Sequence, residues 1–388
     1  MRVLFITGEF PPMQGGVGDC ANEIAHGLAA CGANVRVLTS AHARSDAMRD
    51  SVFAIYPIVE KWDWSSWRLI WNTYDQFNPD IIHIQYQTGA FGMHPAINLT
   101  PRFLKLPNTK FVTTFHDLRV PYLFPKAGPV RGWVTRQLAR ACDAVIATND
   151  EDYARLETWH VRELNLIPIG SNVTTMPPAD YDRAAWRAKL GVAANEMLWC
   201  YFGFLNESKG GETLIRALAL TPNAKLVMIG GQTGASDPTN VAYLAYIQSL
   251  ISNLGLTHRV LWTHHLPAPE VSAHFYAADV CVLPYRDGAS YRRGTLMAAL
   301  AHGLAIVSTV ASRQSPVASN NSLPSLDDGE NCVLVAPDDP RAIAEAVQRV
   351  MASSELRARI GAGARALAQN FTWDQIAREH LELYESIV

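Results

Sequence analysis

The 388-residue chain predicts an α/β protein of two domains, each a doubly wound, Rossmann-like parallel sheet. Three observations lead there. Short Val/Ile/Leu-rich runs alternate with helix-length stretches along most of the chain. Those runs are nearly continuous in apolar residues, as strands covered by helices on both faces require. The alternation pauses at LIPIGSNVTTMPPADYD (166–182), rich in Pro, Gly, Asn and Thr, and then restarts.

In the first half the strands read as VLFIT (3–7), NVRVLTS (34–40), DIIHIQY (80–86), KFVTTFH (110–116) and DAVIATN (143–149). Helices fall around 18–31 and 129–141, with a short one ending near 159. After the pause come strands EMLWCYFGF (196–204), KLVMIGG (225–231), RVLWTHH (259–265), DVCVLPY (279–285), AIVST (305–309) and NCVLVAP (331–337). Helices lie between them, near 209–220, 240–254 and 269–277 and within RRGTLMAALAHG (292–303). The boundaries that follow are 1–170 for the first domain, 171–182 for a linker, 183–372 for the second domain and 373–388 for a C-terminal helix. Ligands of such sheets bind beyond the carboxyl ends of the strands, so a site is expected there, in a cleft faced by both sheets.

Composition narrows the function. With 48% hydrophobic residues, 18% charged residues and a net charge of -3, the chain is an ordinary globular one and lacks the positive excess of a nucleic-acid binder. The cysteines, Cys20, Cys31, Cys142, Cys200, Cys281 and Cys332, are scattered without metal-like pairing, and most sit in apolar runs as small core residues. MRVLFIT at the start is strand-like and too short for a signal peptide, and no apolar run reaches the ~18 residues of a membrane span. The expectation is a cytoplasmic protein with reduced thiols.

Several constellations suggest anion chemistry. In DGASYRRGTLMAALAHGLAIVST (287–309), Arg292 and Arg293 stand with Gly294 and Thr295 at the front of a helix. Unpaired N–H groups, the positive end of the helix dipole and two guanidinium groups make an anion site there. GFLNESKGGETL (203–214) places Lys209, a compact cation suited to phosphate, at another helix start. Gly15, Gly16 and Gly18 in GEFPPMQGGVG precede a helix but do not make a dinucleotide fingerprint: the first glycine comes late after the strand, and Leu38, Thr39 and Ser40 supply no ribose-binding acid. A loop that lets backbone approach a phosphate or sugar fits better, with a plain turn as the alternative. TTFHDL (113–118) sets His116 and Asp117 at a strand end. The triplet Asp150, Glu151, Asp152 reads as the first turn of a helix rather than a metal site.

Taken in order, GEFPPMQGGVG, TTFHD, NLIPIGSNV, FGFLNESKG, KLVMIGG, HHLPAPEVSAHFYAADVCVLPYRDG, RRGTLMAALAHGLAIVST and FTWDQIAREHLELYESIV resemble glycosyltransferase family 4, of the GT-B fold, nearly end to end. The resemblance implies transfer of a sugar from a nucleoside-diphosphate donor with retention of configuration, no metal and no other cofactor, and a C-terminal helix that packs back on the first domain. It puts the phosphate-binding lysine at Lys209, the loop near the reacting centre at Gly15, Gly16 and Gly18, and the histidine of the first domain at His116. The base- and ribose-reading positions fall on Gly231, His265, Leu266, Glu270 and Ala298, and the phosphate segment on Arg292, Arg293, Gly294, Thr295 and Leu296. Lys209, Arg293 and His116 are the expected catalytic groups.

Three charged positions of that pattern are neutral here. Ser290 and Ala298 replace two glutamates, and Phe204 replaces an arginine. Two accounts stay open: Arg292 and Arg293 compensate, or the chain binds a nucleotide sugar without turning it over. A GT-B epimerase is a further alternative, and an NAD dehydrogenase lacks its acid. UDP-glucose is the donor suggested by the family's habits. The acceptor, a glycan, a lipid-linked sugar or a small molecule, is expected on the first domain, at IQYQTGAFGMH (84–94) and the segment after His116. RGWVTRQLAR (131–140) mixes arginines with Trp133 and Leu138, either as an ordinary amphipathic helix or as a peripheral contact with the inner face of a membrane. Oligomeric state is left open.

Overall fold

The computed structural model describes residues 1–46, 51–118, 128–232, 239–310 and 322–388. They fall into two compact units. Met1–Gly170 and Thr372–Val388 belong to the first, Ser171–Gln314 and Pro324–Phe371 to the second. Leu323 groups with the first and donates its N–H to Asp150 Oδ1 at 3.2 Å.

The first unit runs β1 (Arg2–Thr7), α1 (Gly16–Ala30), β2 (Asn34–Ser40), β3 (Ala54–Val59), α2 (Ser66–Phe77), β4 (Ile81–Tyr86) and α3 (Ala96–Phe103). It continues with β5 (Lys110–Phe115), α4 (Gly128–Ala141), β6 (Ala144–Ala147), α5 (Asp150–Glu157) and β7 (Leu164–Leu166). Its seven-stranded sheet has the order β3-β2-β1-β4-β5-β6-β7 with parallel pairing throughout. Val3 of β1 pairs with Val35 on one side and Ile81 on the other. Successive residues serve opposite faces: Leu4 and Ile6 enter one buried core, Val3 and Phe5 the other.

The second unit holds α6 (Arg183–Lys189), β8 (Met197–Phe202), α7 (Gly211–Ala219), β9 (Ala224–Ile229), α8 (Thr239–Asn253), β10 (Val260–Trp262) and α9 (Ala268–Ala277). Then come β11 (Val280–Leu283), α10 (Gly294–His302), β12 (Ile306–Thr309), β13 (Val333–Val335), α11 (Pro340–Ala352) and α12 (Ser354–Ala368). Its six strands pair in parallel in the order β10-β9-β8-β11-β12-β13. In each sheet the order reverses beside the first strand, between β1 and β4 and between β8 and β11. Those two switch points are where connecting loops part and leave room for a ligand.

The last helix, α13 (Trp373–Ile387), returns to the first unit and packs on α1. Its Ile376, Leu383 and Tyr384 join the core that contains Ala21, Ile24 and Leu28 of α1. Residues 171–182 lie with the second unit, where Tyr276 donates its hydroxyl to Thr175 O at 3.0 Å. No described helix is long and apolar enough to cross a membrane.

The fold contains elements that the sequence reading passed over. β3 carries Pro57 and pairs only with β2, with a register shift at Thr39/Ser40; an edge position is where a strand tolerates proline. α3 includes Pro101 within its span. α2 buries Ile70, Thr73, Tyr74 and Phe77, a helical spacing obscured by its aromatic residues.

One glycine governs the seam between α1 and α13. A Cβ on Gly27 would lie 2.6 Å from Ala377 Cβ, and neither neighbour has a flexible end to move away. Gly27→Ala is expected to destabilise the protein by about 1–3 kcal/mol through overpacking, read as a lower melting temperature.

Candidate functional site

In the second unit, β8 ends at Phe202 and the chain turns through Gly203, whose φ is +101°. That residue is small for a reason. A Cβ there would come 2.5 Å from Thr295 Cγ2 and 3.3 Å from Lys209 Nζ. Asn206 then holds a single 3-10 turn, its Oδ1 accepting the Lys209 N–H at 3.1 Å and the Ser208 hydroxyl at 2.9 Å. Gly210, at φ +71°, is jammed against the carbonyl of Pro284 just beyond β11, where a Cβ would overlap it. Lys209 is thereby fixed at the carboxyl end of β8, beside the switch point.

The partner group comes from the loop after β11. Arg292 and Arg293 both donate to Asp287 Oδ2, at 2.8 and 2.6 Å. The Arg292 side chain is only 3% exposed, so its charge is committed inside the loop, whereas Arg293 lies next to Lys209. The Arg293 guanidinium is stacked 5.1 Å from the Tyr285 ring centroid, and its buried Nε has no hydrogen-bond partner among the described residues. Tyr285 in turn shares a 2.6 Å hydrogen bond with Thr295 Oγ1. Burial first, and the Arg293 guanidinium second, push the Lys209 ammonium down to about 7. A lysine in that range is short of negative charge, and a bound anion would supply it.

α10 begins at the same place. Arg293 is its N-cap residue and makes no side-chain cap, while its carbonyl takes the N–H groups of Leu296 and Met297. Among the described residues the N–H groups of Gly294 and Thr295 are left as the open donors of the helix start. Lysine, arginine, two backbone donors and a helix dipole therefore meet at one end of one sheet.

The first unit presents a different picture at its own switch point. Glu9 is buried, and its carboxylate sits over the first turn of α1, accepting a hydrogen bond from the backbone of Val17. Burial first and Asp19 second push it up to about 7. A Cβ on Gly15 would overlap that carboxylate, and one on Gly18 would lie 2.9 Å from Glu9 O. Gly16 alone is open, with nothing near its missing Cβ. At Gly15 and Gly18 the expected approach of ligand to backbone gives way to internal packing: the space beside these glycines is filled by Glu9.

His116, at the end of β5, places Nε2 2.7 Å from Gln85 Oε1 at the end of β4. Burial first and His380 second push its imidazolium down to about 4, so it is neutral near pH 7. With the amide oxygen of Gln85 accepting from Nε2–H, Nδ1 is an acceptor. Behind it, Gln85 Nε2 is 3.3 Å from His83 Nε2, and His83 Nδ1 is 2.5 Å from the Tyr384 hydroxyl of α13. The segment 119–127 following His116, expected to read the acceptor, lies outside the described residues, apart from Asp117 and Leu118 before it. Asp150, Glu151 and Asp152 form the first turn of α5, capped by Asn149 Oδ1.

Comparison with known proteins identifies the architecture. Residues 15–170 match the model of a glycosyl transferase 4-like domain, and residues 182–367 match that of glycosyl transferases group 1. The chain belongs to the family 4 glycosyltransferases. The D-inositol 3-phosphate glycosyltransferase of Xylanimonas cellulosilytica is 31% identical to this chain over 257 residues, 64% of this chain and 58% of the relative. The protein of the same name from Kineococcus radiotolerans is 25% identical over 345 residues, 86% of this chain and 72% of the relative. The chain thus spans little more than half the length of the Xylanimonas relative. Among solved structures, sucrose-phosphate synthase from Thermosynechococcus elongatus superposes with a TM-score of 0.75 at 24% identity, covering 100% of this chain and 99% of that one. Anabaena HepE in complex with UDP and glucose gives 0.78 at 19% identity, covering 100% of both. At these identities the structural likeness is one of GT-B fold.

The remaining expected positions of this chain are distributed unevenly. Gly231 follows β9 and is half-buried; His265 is exposed, Leu266 is half-buried, and Glu270 lies in the first turn of α9 with its carbonyl accepting from His274 Nδ1 at 2.7 Å. Leu296 and Ala298 depart from expectation. Both are fully buried, and the Leu296 N–H is already bonded to Arg293 O at 2.9 Å, so neither side chain is presented to a ligand. Ser290 is half-buried and uses its carbonyl to hold the Arg293 N–H at 3.0 Å; Phe204 gives its carbonyl to the Tyr201 hydroxyl at 3.1 Å. Sequence reasoning missed Asp287, Tyr285, Asn206 and Glu9. Asp287 stood in the quoted RDG turn as an acid five residues before an Arg pair; nothing in the sequence marked Glu9 as buried.

The two glycine roles separate by mutation. Gly15→Ala is expected to destabilise the protein by about 1–3 kcal/mol because Glu9 must move, and Gly16→Ala to stay within about 0.5 kcal/mol. Thermal melts of the two variants check this.

Proposed function

We propose that this chain is a retaining hexosyltransferase that uses a nucleoside-diphosphate sugar, with the diphosphate held by Lys209, Arg293 and the N–H groups of Gly294 and Thr295. The observation that carries this reading is the meeting of Lys209 and Arg293 at the start of α10, where Asp287 is the carboxylate that both arginines share. UDP-glucose is the proposed donor, supported by the UDP-glucose complex of the similarly folded HepE. The base and ribose would meet the Gly231, His265, Leu266 and Glu270 end of the second sheet.

In the reaction the bond from the anomeric carbon to the β-phosphate oxygen breaks. The acceptor hydroxyl oxygen forms the new bond on the same face, and its proton passes to the departing phosphate oxygen. Negative charge grows on the diphosphate as this happens. Lys209, Arg293 and the two N–H groups stabilise it from fixed positions, each such donor contributing ~10²–10³ in rate. These side-chain cations do the work for which other transferases use a divalent ion, so the proposed reaction needs no metal. Neutral His116, with Nδ1 as acceptor, takes a hydroxyl of the sugar rather than a proton from the acceptor. The acceptor is proposed to be a glycan, a lipid-linked sugar or a small molecule bound by the first unit, with the chain working in the cytoplasm or peripherally at the inner face of a membrane.

Donor turnover with product analysis tests the reading. Lys209→Ala and Arg293→Ala are each expected to lower kcat/KM for UDP-glucose by about 10²–10³, with activity unchanged by EDTA. Tight donor binding without sugar release in the unaltered chain would select the binding-protein alternative; unchanged turnover in both variants would refute the phosphate site.

The lysine also sets a pH dependence. Its folded pKa, about 7, lies below the ordinary 10.5, so the ammonium is present below pH 7 and is lost as pH rises through it. A diester-linked diphosphate keeps its charge over this range and binds the ammonium form. Donor affinity is therefore expected to fall above pH 7 by up to about tenfold per pH unit, and Lys209→Arg to flatten the profile. Calorimetric titration at several pH values reads both.

A further inference from the structure

We propose that Gln85 and His83 are positioning residues for His116, joined in one directed line of hydrogen bonds whose far end is the Tyr384 hydroxyl of α13. The proposal rests on the reading of His116 as the group that meets the sugar of the donor. It goes beyond that reading by saying what fixes the imidazole and from where.

Strand alternation sets the groups side by side. Ile81, His83 and Gln85 share one face of β4, and Val112 and Thr114 share the matching face of β5, which His116 continues just past the strand. At its amino end this face is apolar, with Ile81 and Val112 in the core that Tyr384 also enters. Towards the carboxyl ends of the strands it turns polar. His83, Gln85, Thr114 and Tyr384 are all buried, and His116 alone keeps partial exposure, so the line surfaces at one point, the site. His380 stands beside it, its ring 5.6 Å from that of His83, but its Nδ1 serves Ile376 O at 2.7 Å and adds no link.

Distances give the line its direction. Burial is the first cause that pushes both imidazoles below their ordinary range, so each is neutral near pH 7, with one N–H and one acceptor nitrogen. Gln85 touches His116 Nε2 at 2.7 Å and His83 Nε2 at 3.3 Å. The shorter contact suits the amide oxygen accepting an N–H, and the longer one suits the amide nitrogen facing a ring nitrogen. Gln85 therefore accepts from His116 and donates to His83 Nε2, which also receives the Thr114 hydroxyl at 2.8 Å. His83 then carries its proton on Nδ1 and donates it to the Tyr384 oxygen at 2.5 Å. Each link presupposes the one behind it. Without the phenol, the buried Nδ1–H of His83 loses its acceptor, and its proton is better placed on Nε2, towards Thr114. That proton opposes the Gln85 amide nitrogen, so the amide turns over and points its N–H at His116 Nε2. The His116 proton is then driven to Nδ1, and the ring offers a donor where it had offered an acceptor.

The test is nitrogen NMR of the full chain labelled with 15N-histidine, the two rings being assigned through His83→Gln and His116→Gln. The unaltered chain is expected to show the Nε2–H tautomer at His116 and the Nδ1–H tautomer at His83; the opposite pair would overturn the proposal. Tyr384→Phe keeps the aromatic ring and is expected to move His116 to the Nδ1–H form. By calorimetry the same variant is expected to bind UDP-glucose about tenfold more weakly and UDP as before. A phenol that served packing alone would lower the melting temperature and leave the His116 tautomer where it was, and that result would refute the link to α13. If Tyr384→Phe fails to fold, Gln85→Met takes its place: a mixture of His116 tautomers is expected, and a retained pure Nε2–H form would refute the role of Gln85. UDP-glucose that binds the unaltered chain no more tightly than UDP, with both tautomers as expected, would count against the sugar contact at His116 and not against the line behind it.

Discussion

Lys209 and Arg293 repel each other in a half-buried corner, and the protein keeps them there by geometry. Gly210 against Pro284 fixes one, Asp287 and the Tyr285 ring fix the other, and Gly203 leaves the gap that Lys209 and Thr295 approach. Burial first, and the neighbouring Arg293 guanidinium second, make the charged form of Lys209 costly, which is why its ammonium sits so low. Asp287 offsets part of that cost but is shared between two arginines. The result is a preorganised deficit of negative charge, a state that a bound diphosphate would relieve.

The two sheets were legible because each strand is a short apolar run bounded by turn residues, and parallel strands covered on both faces must be so. The same logic failed where residues serve two purposes. Pro57 in β3 and Pro101 in α3 carry local signals against the elements that hold them, and the edge of the sheet and the packing of α3 on α4 override those signals. At the site, Lys209, Arg293, Gly294 and Thr295 could be read from charge and helix starts. Leu296 and Ala298 could not be placed, because whether a helical residue faces a ligand or the core depends on the neighbours across it, and here both face inward.

Glu9 shows the limit most clearly. A glycine-rich turn before a helix advertises an empty N-terminus, yet this one is filled by a carboxyl from nine residues into the chain. Gly15 is required by the protein's own acid and Gly18 by the backbone of the same residue, while Gly16 meets nothing. Buried polar groups of this kind are specified by the three-dimensional surroundings of one side chain, and their local sequence is silent.

The hydrogen bond between His83 and Tyr384 joins residues 301 positions apart. It completes a unit whose opening 170 residues are otherwise contiguous. A ribosome making this polypeptide therefore emits the whole of the second unit before the groove along α1 receives its final cover. Until then Ala21, Ile24 and Leu28 lack the residues that shield them, and the imidazole of His83 lacks its phenol. Completion of the first unit's core therefore waits for α13, a dependence written into chain order rather than into any loop.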